Sequence, residues 1–227
     1  GRCPRQGLWH KRMKARSREN WPAFYSATRI FLTFWLKIWH RYRAFGSENV
    51  PREGGCLLAS NHASYLDPSL VACGIWHRSV RFIARDSLFR FPVFAQIMYW
   101  IGVDPLSRDR GDVGALKKAI QRLKEGACIC LYPEGTRTTD GELQPAKGGI
   151  GFLIAKAVVP TYIDGNFRAY PRGAKWIRPA RCRVYYGRAI QPSELEAFGT
   201  ERDAYEKIGQ LVMSRITALK NAVDAPK

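Results

Sequence analysis

At 227 residues and 46% hydrophobic content, with 13 prolines, the chain has the composition of a folded protein with a real core, which sets wholesale disorder aside. Its 37 Lys/Arg outnumber 19 Asp/Glu for a net charge of +18, so a polyanionic surface is implied, with phospholipid and nucleic acid the two candidates. Six cysteines form no CxxC pair, and buried free thiols in a reducing compartment are the simplest reading.

The first 20 residues carry seven Lys/Arg before the first acid, Glu19, and read as a basic arm. This arm is too basic for a secretory signal, and no small-residue cleavage site follows an apolar core, so the cytoplasmic side is expected. Trp21-Pro22 then opens an aromatic-rich run to about Phe45 that reads as a helix. Ser26, Arg29, Thr33, Lys37, His40 and Arg41 recur at steps of three and four and share one face. Phe24, Ile30, Phe31, Phe34, Trp35, Leu36, Ile38, Trp39 and Tyr42 fill the rest. Arg29 and Lys37 interrupt the run far short of the ~18 apolar residues of a spanning helix. The expectation is a helix lying in the membrane interface, basic side to the headgroups and aromatics in the acyl boundary. Packing on its own domain would produce the same periodicity; the adjacent basic arm favours the membrane. The chain divides accordingly into residues 1–48, arm and membrane-associating helix, and residues 49–227.

From Pro51 the pattern alternates. Strand-like runs at Gly55–Ser60, Val80–Ala84, Ala127–Tyr132, Val158–Ile163 and Cys182–Tyr186 are separated by helical ones. In Val113–Glu125 the residues Ala115, Leu116, Ala119, Ile120 and Leu123 make an inward face, and Gly126 closes the helix. Thr200–Val223 reads as a final amphipathic helix with Tyr205, Ile208, Leu211, Val212 and Ile216 on its apolar side. Such alternation implies an α/β domain whose mostly parallel sheet is flanked by helices.

Asn61-His62-Ala63-Ser64-Tyr65-Leu66-Asp67-Pro68 follows the first apolar strand. Asp67-Pro68 reads as a helix start, Asp at the N-cap and Pro at the first helical position. An imidazole at the strand's end with a carboxylate to orient it can take a proton from an alcohol near neutral pH. Pro133-Glu134-Gly135-Thr136-Arg137 ends another strand, and ligands in open α/β sheets sit beyond the carboxyl ends of strands. No GxSxG elbow, HExxH, His/Cys cluster or Walker loop is present, so a covalent Ser or Cys nucleophile, zinc and P-loop nucleotide chemistry are not expected. What remains is a base, His62, serving a substrate hydroxyl that attacks an activated acyl carbon directly. Arg137 beside Gly135, Arg108 and Arg110 after Gly102–Ser107, Lys147, and Arg85 after Val80–Ala84 put basic groups at successive strand ends, suited to a phosphate.

Asn61-His62-xxxx-Asp67 together with Pro133-Glu134-Gly135-Thr136-Arg137 resembles the glycerolipid acyltransferase family, in particular the bacterial 1-acyl-glycerol-3-phosphate acyltransferases. The likeness runs from roughly Val50 to Ile190 and takes in two weaker blocks, Gly102 to Arg108 and Val158-Val159-Pro160. The resemblance implies a glycerol-phosphate acyltransferase-like fold and transfer of a fatty acyl group to the sn-2 hydroxyl of lysophosphatidic acid. The donor would be acyl-CoA or acyl carrier protein, with no further cofactor and no metal. It implies His62 and Asp67 as the catalytic dyad and Arg108, Glu134, Gly135 and Arg137 as acceptor-binding residues, with Arg85 at a position where the family often has a basic residue that can reach the phosphate. Thr136 within the motif and Lys147 after it are further candidate contacts. Tyr132 stands where phenylalanine is common in the family, and Ser107 where aspartate is common. The expected partners are a phospholipid surface, at the cytoplasmic face of the membrane, and a lysophospholipid; nucleic acid is not expected. Another lysophospholipid or acylated aminolipid as acceptor, a thioesterase, and a basic binding module without activity are the competing readings.

Overall fold

The computed structural model describes residues 22–85, 89, 91–106, 111–147, 157–199 and 202–225; the basic arm, Ser107, Arg108 and Arg110 lie outside them. In chain order the elements are α1 (Pro22–His40), β1 (Arg43–Phe45), a 3-10 turn (Ser47–Asn49), β2 (Cys56–Ser60), α2 (Asp67–Cys73), β3 (Val80–Arg85), α3 (Pro92–Trp100) and β4 (Val103–Leu106). They continue with α4 (Gly111–Lys124), β5 (Cys128–Leu131), β6 (Ala157–Asp164), α5 (Asn166–Ala169), β7 (Arg183–Tyr186), α6 (Pro192–Glu196) and α7 (Arg202–Asp224).

The strands form a seven-stranded sheet in the order β1-β7-β6-β2-β5-β3-β4. β6, β2, β5, β3 and β4 run parallel, as the alternation predicts. β7 is antiparallel to β6, and β1 parallel to β7, so the sheet ends in a reversed margin.

β2 is central, between β5 and β6, and all five of its residues are buried. Alternation along it divides the core. Cys56 and Leu58 join the layer holding Leu36 of α1 and Leu70 and Val71 of α2. Leu57 and Ala59 join the opposite layer, with Ala119 and Leu123 of α4 and Ile208, Val212 and Ile216 of α7. These three α7 residues belong to the apolar side read from the sequence, and Leu211 of the same side packs against them partly buried. Each fully buried Leu or Ile stabilises by roughly 1.5–3 kcal/mol through its apolar area. Gly126, at φ 83°, ends α4 as expected; its N–H bonds to Leu123 O and that of Ala127 to Arg122 O, satisfying carbonyls the helix leaves open. The five described cysteines are free and buried.

Three local expectations are corrected. The first helix stops at His40, not near Phe45: Arg41 takes φ 45°, and residues 43–45 turn into edge strand β1, where the Arg43 N–H bonds to Cys182 O. Second, α2 begins at Asp67, with Leu66 in the capping position and no side-chain cap; Asp67 points back into the preceding loop instead.

The third concerns the faces of α1. Part of its polar stripe lies against the domain: Thr33 and His40 are buried beside fully buried Leu36, while Lys37 and Arg41 of the same stripe stay exposed. Arg29 donates to Ile75 O at 2.6 Å, and its guanidinium lies 4.6 Å from the Trp76 ring centre. Arg29 is thus met by a carbonyl just beyond the end of α2 and His40 Nδ1 by Ala180 O at 3.3 Å, whereas Thr33 Oγ1 and His40 Nε2 have no hydrogen-bond partner among the described residues. The outward face is apolar, with Ile30, Phe31, Phe34 and Ile38 each 58–69% exposed. Among the described residues no helix is long and apolar enough to cross a membrane.

Candidate active site

Parallel strands β2 and β5 end side by side, and the loops that leave them are bonded to each other around His62. The last backbone pair of β2 and β6 is Ser60–Thr161. Asn61 then extends the ladder with its side chain, donating from Nδ2 to Ile163 O at 3.1 Å and accepting the Ile163 N–H at Oδ1 at 2.8 Å. The backbone can therefore leave the sheet at His62 without stranding a buried polar group. The loop after β5 holds His62 from both sides: its N–H donates to Glu134 Oε1 at 3.0 Å, and its carbonyl accepts the Thr138 N–H at 2.8 Å.

The imidazole is oriented twice. Its Nδ1 lies 2.8 Å from Asp67 Oδ2, and Tyr132 stacks on its face with ring centres 3.8 Å apart and planes within 11°. A carboxylate can only accept, so the proton sits on Nδ1 and the lone pair is left on Nε2. Asp67 is fully buried and saturated with donors. Besides His62, Oδ2 accepts the N–H groups of Ala63 (2.8 Å) and Ser64 (2.9 Å), and Oδ1 accepts Asn166 Nδ2 at 2.8 Å. A charge held by four donors has its desolvation offset and its position fixed.

Glu134 is buried too, but its Oε2 has no hydrogen-bond partner among the described residues. Burial pushes its carboxyl up to about 7, Asp67 and Asp140 adding to the rise while the His62 and Gln144 backbone amides pull the other way. Gly135 sits at φ 69°, and a Cβ there would come within 3.0 Å of Lys147 Cδ, so the glycine lets Lys147 lie over the turn. Arg137 Cζ lies 3.6 Å from the Tyr65 ring centre, a cation–π contact that holds the guanidinium at the mouth of the loop.

The structure thus brings His62, Asp67, Glu134, Gly135, Arg137 and Lys147 into two bonded loops, with Thr136 exposed between Gly135 and Arg137. Arg85 is the last residue of β3, level with Leu106 at the end of β4, so the two parallel strands end together. β4 is pinned by Asp104, which receives Arg122 Nε and Nη2 at 2.8 Å each. Arg108 lies outside the described residues. No three His, Cys, Asp or Glu side chains gather as a metal site among the described residues.

Sequence reasoning missed Asn166, the donor to the far oxygen of Asp67; an Asn directly after Gly165 at a strand's end was its only signal. It noted Tyr132 as a departure from phenylalanine but not its stack on the imidazole.

A family model described as Acyltransferase matches residues 41–164. The chain is 32% identical over 189 residues to a chloroplastic 1-acyl-sn-glycerol-3-phosphate acyltransferase of Arabidopsis thaliana, covering 76% of this chain and 52% of that protein. A chloroplastic relative from Brassica napus is 37% identical, over 58% of this chain and 40% of the relative. The 1-acyl-sn-glycerol-3-phosphate acyltransferase of Bacillus subtilis is 21% identical, over 80% of this chain and 89% of its own length. The chain therefore spans about half the length of the plant relatives. A crystal structure of the 1-acyl-sn-glycerophosphate acyltransferase from Thermotoga maritima superposes with a TM-score of 0.65 at 22% identity, covering 94% of this chain and 89% of that one, which is likeness of fold.

Proposed function

The chain belongs to the acyltransferase family, and from that premise we propose that it moves a fatty acyl group from an acyl thioester to the sn-2 hydroxyl of lysophosphatidic acid, giving phosphatidic acid. The observation that carries the reading is the His62–Asp67 pair, bonded at 2.8 Å at the lip of a sheet edge, with no serine or cysteine elbow beside it. His62 Nε2 takes the proton of the acceptor hydroxyl as its oxygen attacks the thioester carbonyl. The tetrahedral oxyanion then collapses, the C–S bond breaks, and the leaving thiolate recovers the proton from the imidazolium. Asp67 stabilises that imidazolium through Nδ1 without itself taking the proton. Tyr132 keeps the ring in plane.

Arg137, Arg108 and Arg85, with Lys147, are the cations proposed for the acceptor's phosphate, and Glu134, Gly135 and Thr136 shape the turn beneath it. The donor is acyl-CoA or acyl carrier protein, and no other cofactor is required by this scheme. The outward apolar face of α1 supports a membrane setting: Phe31 and Phe34, at 69% and 65% exposure, would enter the acyl boundary of a bilayer. The reading is a peripheral enzyme at the cytoplasmic face of the membrane that holds its lipid acceptor.

The test is thiol release from palmitoyl-CoA, and from acyl carrier protein, with and without lysophosphatidate and a panel of other lysophospholipids. Wild type should release thiol only with acceptor, and His62→Ala should lose about 10²–10⁴ in rate. Release independent of acceptor would make it a thioesterase. Transfer preserved in His62→Ala would remove the proposed base.

A further inference from the structure

The segment between α5 and β7 takes no part in the chemistry above, yet its composition is unusual for a surface loop. Between Asp164 and Glu194 there is no acidic residue. Arg172, Lys175, Arg178 and Arg181 are all exposed, and none has an ion pair among the described residues. Trp176 stands 80% exposed at the tip, with Ile177 beside it. The two form one wall of a cleft of about 400 Å³ whose other wall is Trp35 and Trp39 of α1. The loop's apolar tip is therefore continuous with the apolar outer face of α1.

The loop is also held in place. Arg178 N donates to Ala169 O at 2.8 Å, Cys182 N to His40 O at 2.9 Å, and His40 Nδ1 meets Ala180 O at 3.3 Å. At its root, Tyr170 O accepts Ser64 Oγ at 2.9 Å and Tyr65 N at 3.1 Å, both from the loop that carries His62. A tryptophan kept in water by a fixed backbone, ringed by unpaired cations, is arranged to meet something both apolar and anionic.

We propose that residues 171–181 are a second membrane contact, in which Trp176 and Ile177 enter the interface beside α1 while Arg172, Lys175, Arg178 and Arg181 bind the phosphates of anionic phospholipid. This rests on the reading of α1 as bilayer-facing. Tryptophan's amphipathic ring suits the headgroup level, and juxtamembrane cations gain from the negative leaflet. Nucleic acid or an acidic carrier protein would satisfy the cations but leave the adjoining face of Ile30, Phe31 and Phe34 in water. Through Tyr170 the contact sits directly against the catalytic loop, where a lipid acceptor has to arrive.

The experiment is sedimentation of the full chain with vesicles of phosphatidylcholine alone and of phosphatidylcholine mixed with phosphatidylglycerol. Trp176→Ala should weaken binding to both roughly tenfold. Arg172→Ser with Lys175→Ser should weaken only the anionic vesicles, about fivefold per charge. Turnover of a short-chain, water-soluble lysophosphatidate should stay at wild type in both, which also shows that they fold. Wild-type binding by both loop variants overturns the proposal. A Phe31→Ser/Phe34→Ser variant run beside them tells the two failures apart: if it alone loses binding, α1 is the contact without the loop, and if it too binds as wild type, the bilayer reading of α1 falls. Unchanged vesicle binding with turnover reduced only when acyl carrier protein is the donor, or with binding to duplex RNA lost instead, assigns the loop to those partners and overturns the proposal as well.

Discussion

Burying the Glu134 carboxyl ties the protein's stability to a pH range in which ordinary carboxylates have already ionised. In the unfolded chain this group titrates near 4.5, and in the folded protein at about 7. Between those values the folded state binds more protons than the unfolded one, so stability falls as pH rises. The contribution is intact below about pH 4.5 and lost by about pH 7, and amounts to about 3 kcal/mol. Glu134→Gln keeps an acceptor for the His62 N–H but cannot ionise. Urea midpoints measured at pH 5 and pH 8 should drop for wild type and stay nearly level for the glutamine variant; an equal drop in both would assign the effect to other groups. Tyr132 allows a second test at this scale. Its buried hydroxyl has no hydrogen bond of good geometry among the described residues, the Cys130 thiol beside it being a weak partner. Tyr132→Phe keeps the ring on His62 and should leave kcat unchanged and stability equal or up to about 1 kcal/mol higher. Tyr132→Leu frees the imidazole to tilt and should lower kcat by one to two orders of magnitude with little change in KM.

Helix α1 shows how far an element can be read from its own sequence. The step of three and four groups Arg29, Thr33 and His40 on one face, but Lys37 of the same series is exposed while Leu36 is buried among them, and periodicity is blind to which face the domain will cover. The answer lies in residues 75 and 180, whose carbonyls meet Arg29 and His40 and draw those two side chains toward the domain. Leu36 interrupts that face and is fully buried, so Leu36→Ala should cost about 2–5 kcal/mol. Phe31→Ser, on the far side, should stay within about 0.5 kcal/mol of wild type. Urea unfolding of both variants checks the pair, and similar losses would mean that Phe31 is covered. The same limit recurs at the site. The central strands, the closure of α4 by Gly126 and the nearness of His62 to Glu134 were legible because each follows from local pattern and from the rule that parallel strands present their carboxyl ends together. The ladder bond of Asn61 to Ile163 and the grip of Asn166 on Asp67 span 102 and 99 residues. No local pattern encodes a partner that distant.

For the molecule as a whole, the excess charge and the apolar surface have separate tasks. Residues 1–50 hold 11 Lys/Arg against two acids, and residues 165–193 hold seven basic residues and no acid, while α1 and Trp176 carry the exposed apolar groups. Cations act at a distance and respond to salt; apolar burial acts at contact and does not weaken with it. If both serve attachment to a bilayer, they can be separated without any mutation. Raising NaCl from 0.1 M to 1 M shortens the screening length from about 10 Å to about 3 Å. Affinity for vesicles containing phosphatidylglycerol should then fall until it meets the affinity for pure phosphatidylcholine, which should itself hardly move. The residual common value measures the apolar contact, and the difference at low salt measures the charge. Affinities that stay apart at 1 M would mean that anionic lipid is bound in a site shielded from solvent. A common value of zero would mean that the exposed phenylalanines of α1 never reach the acyl boundary.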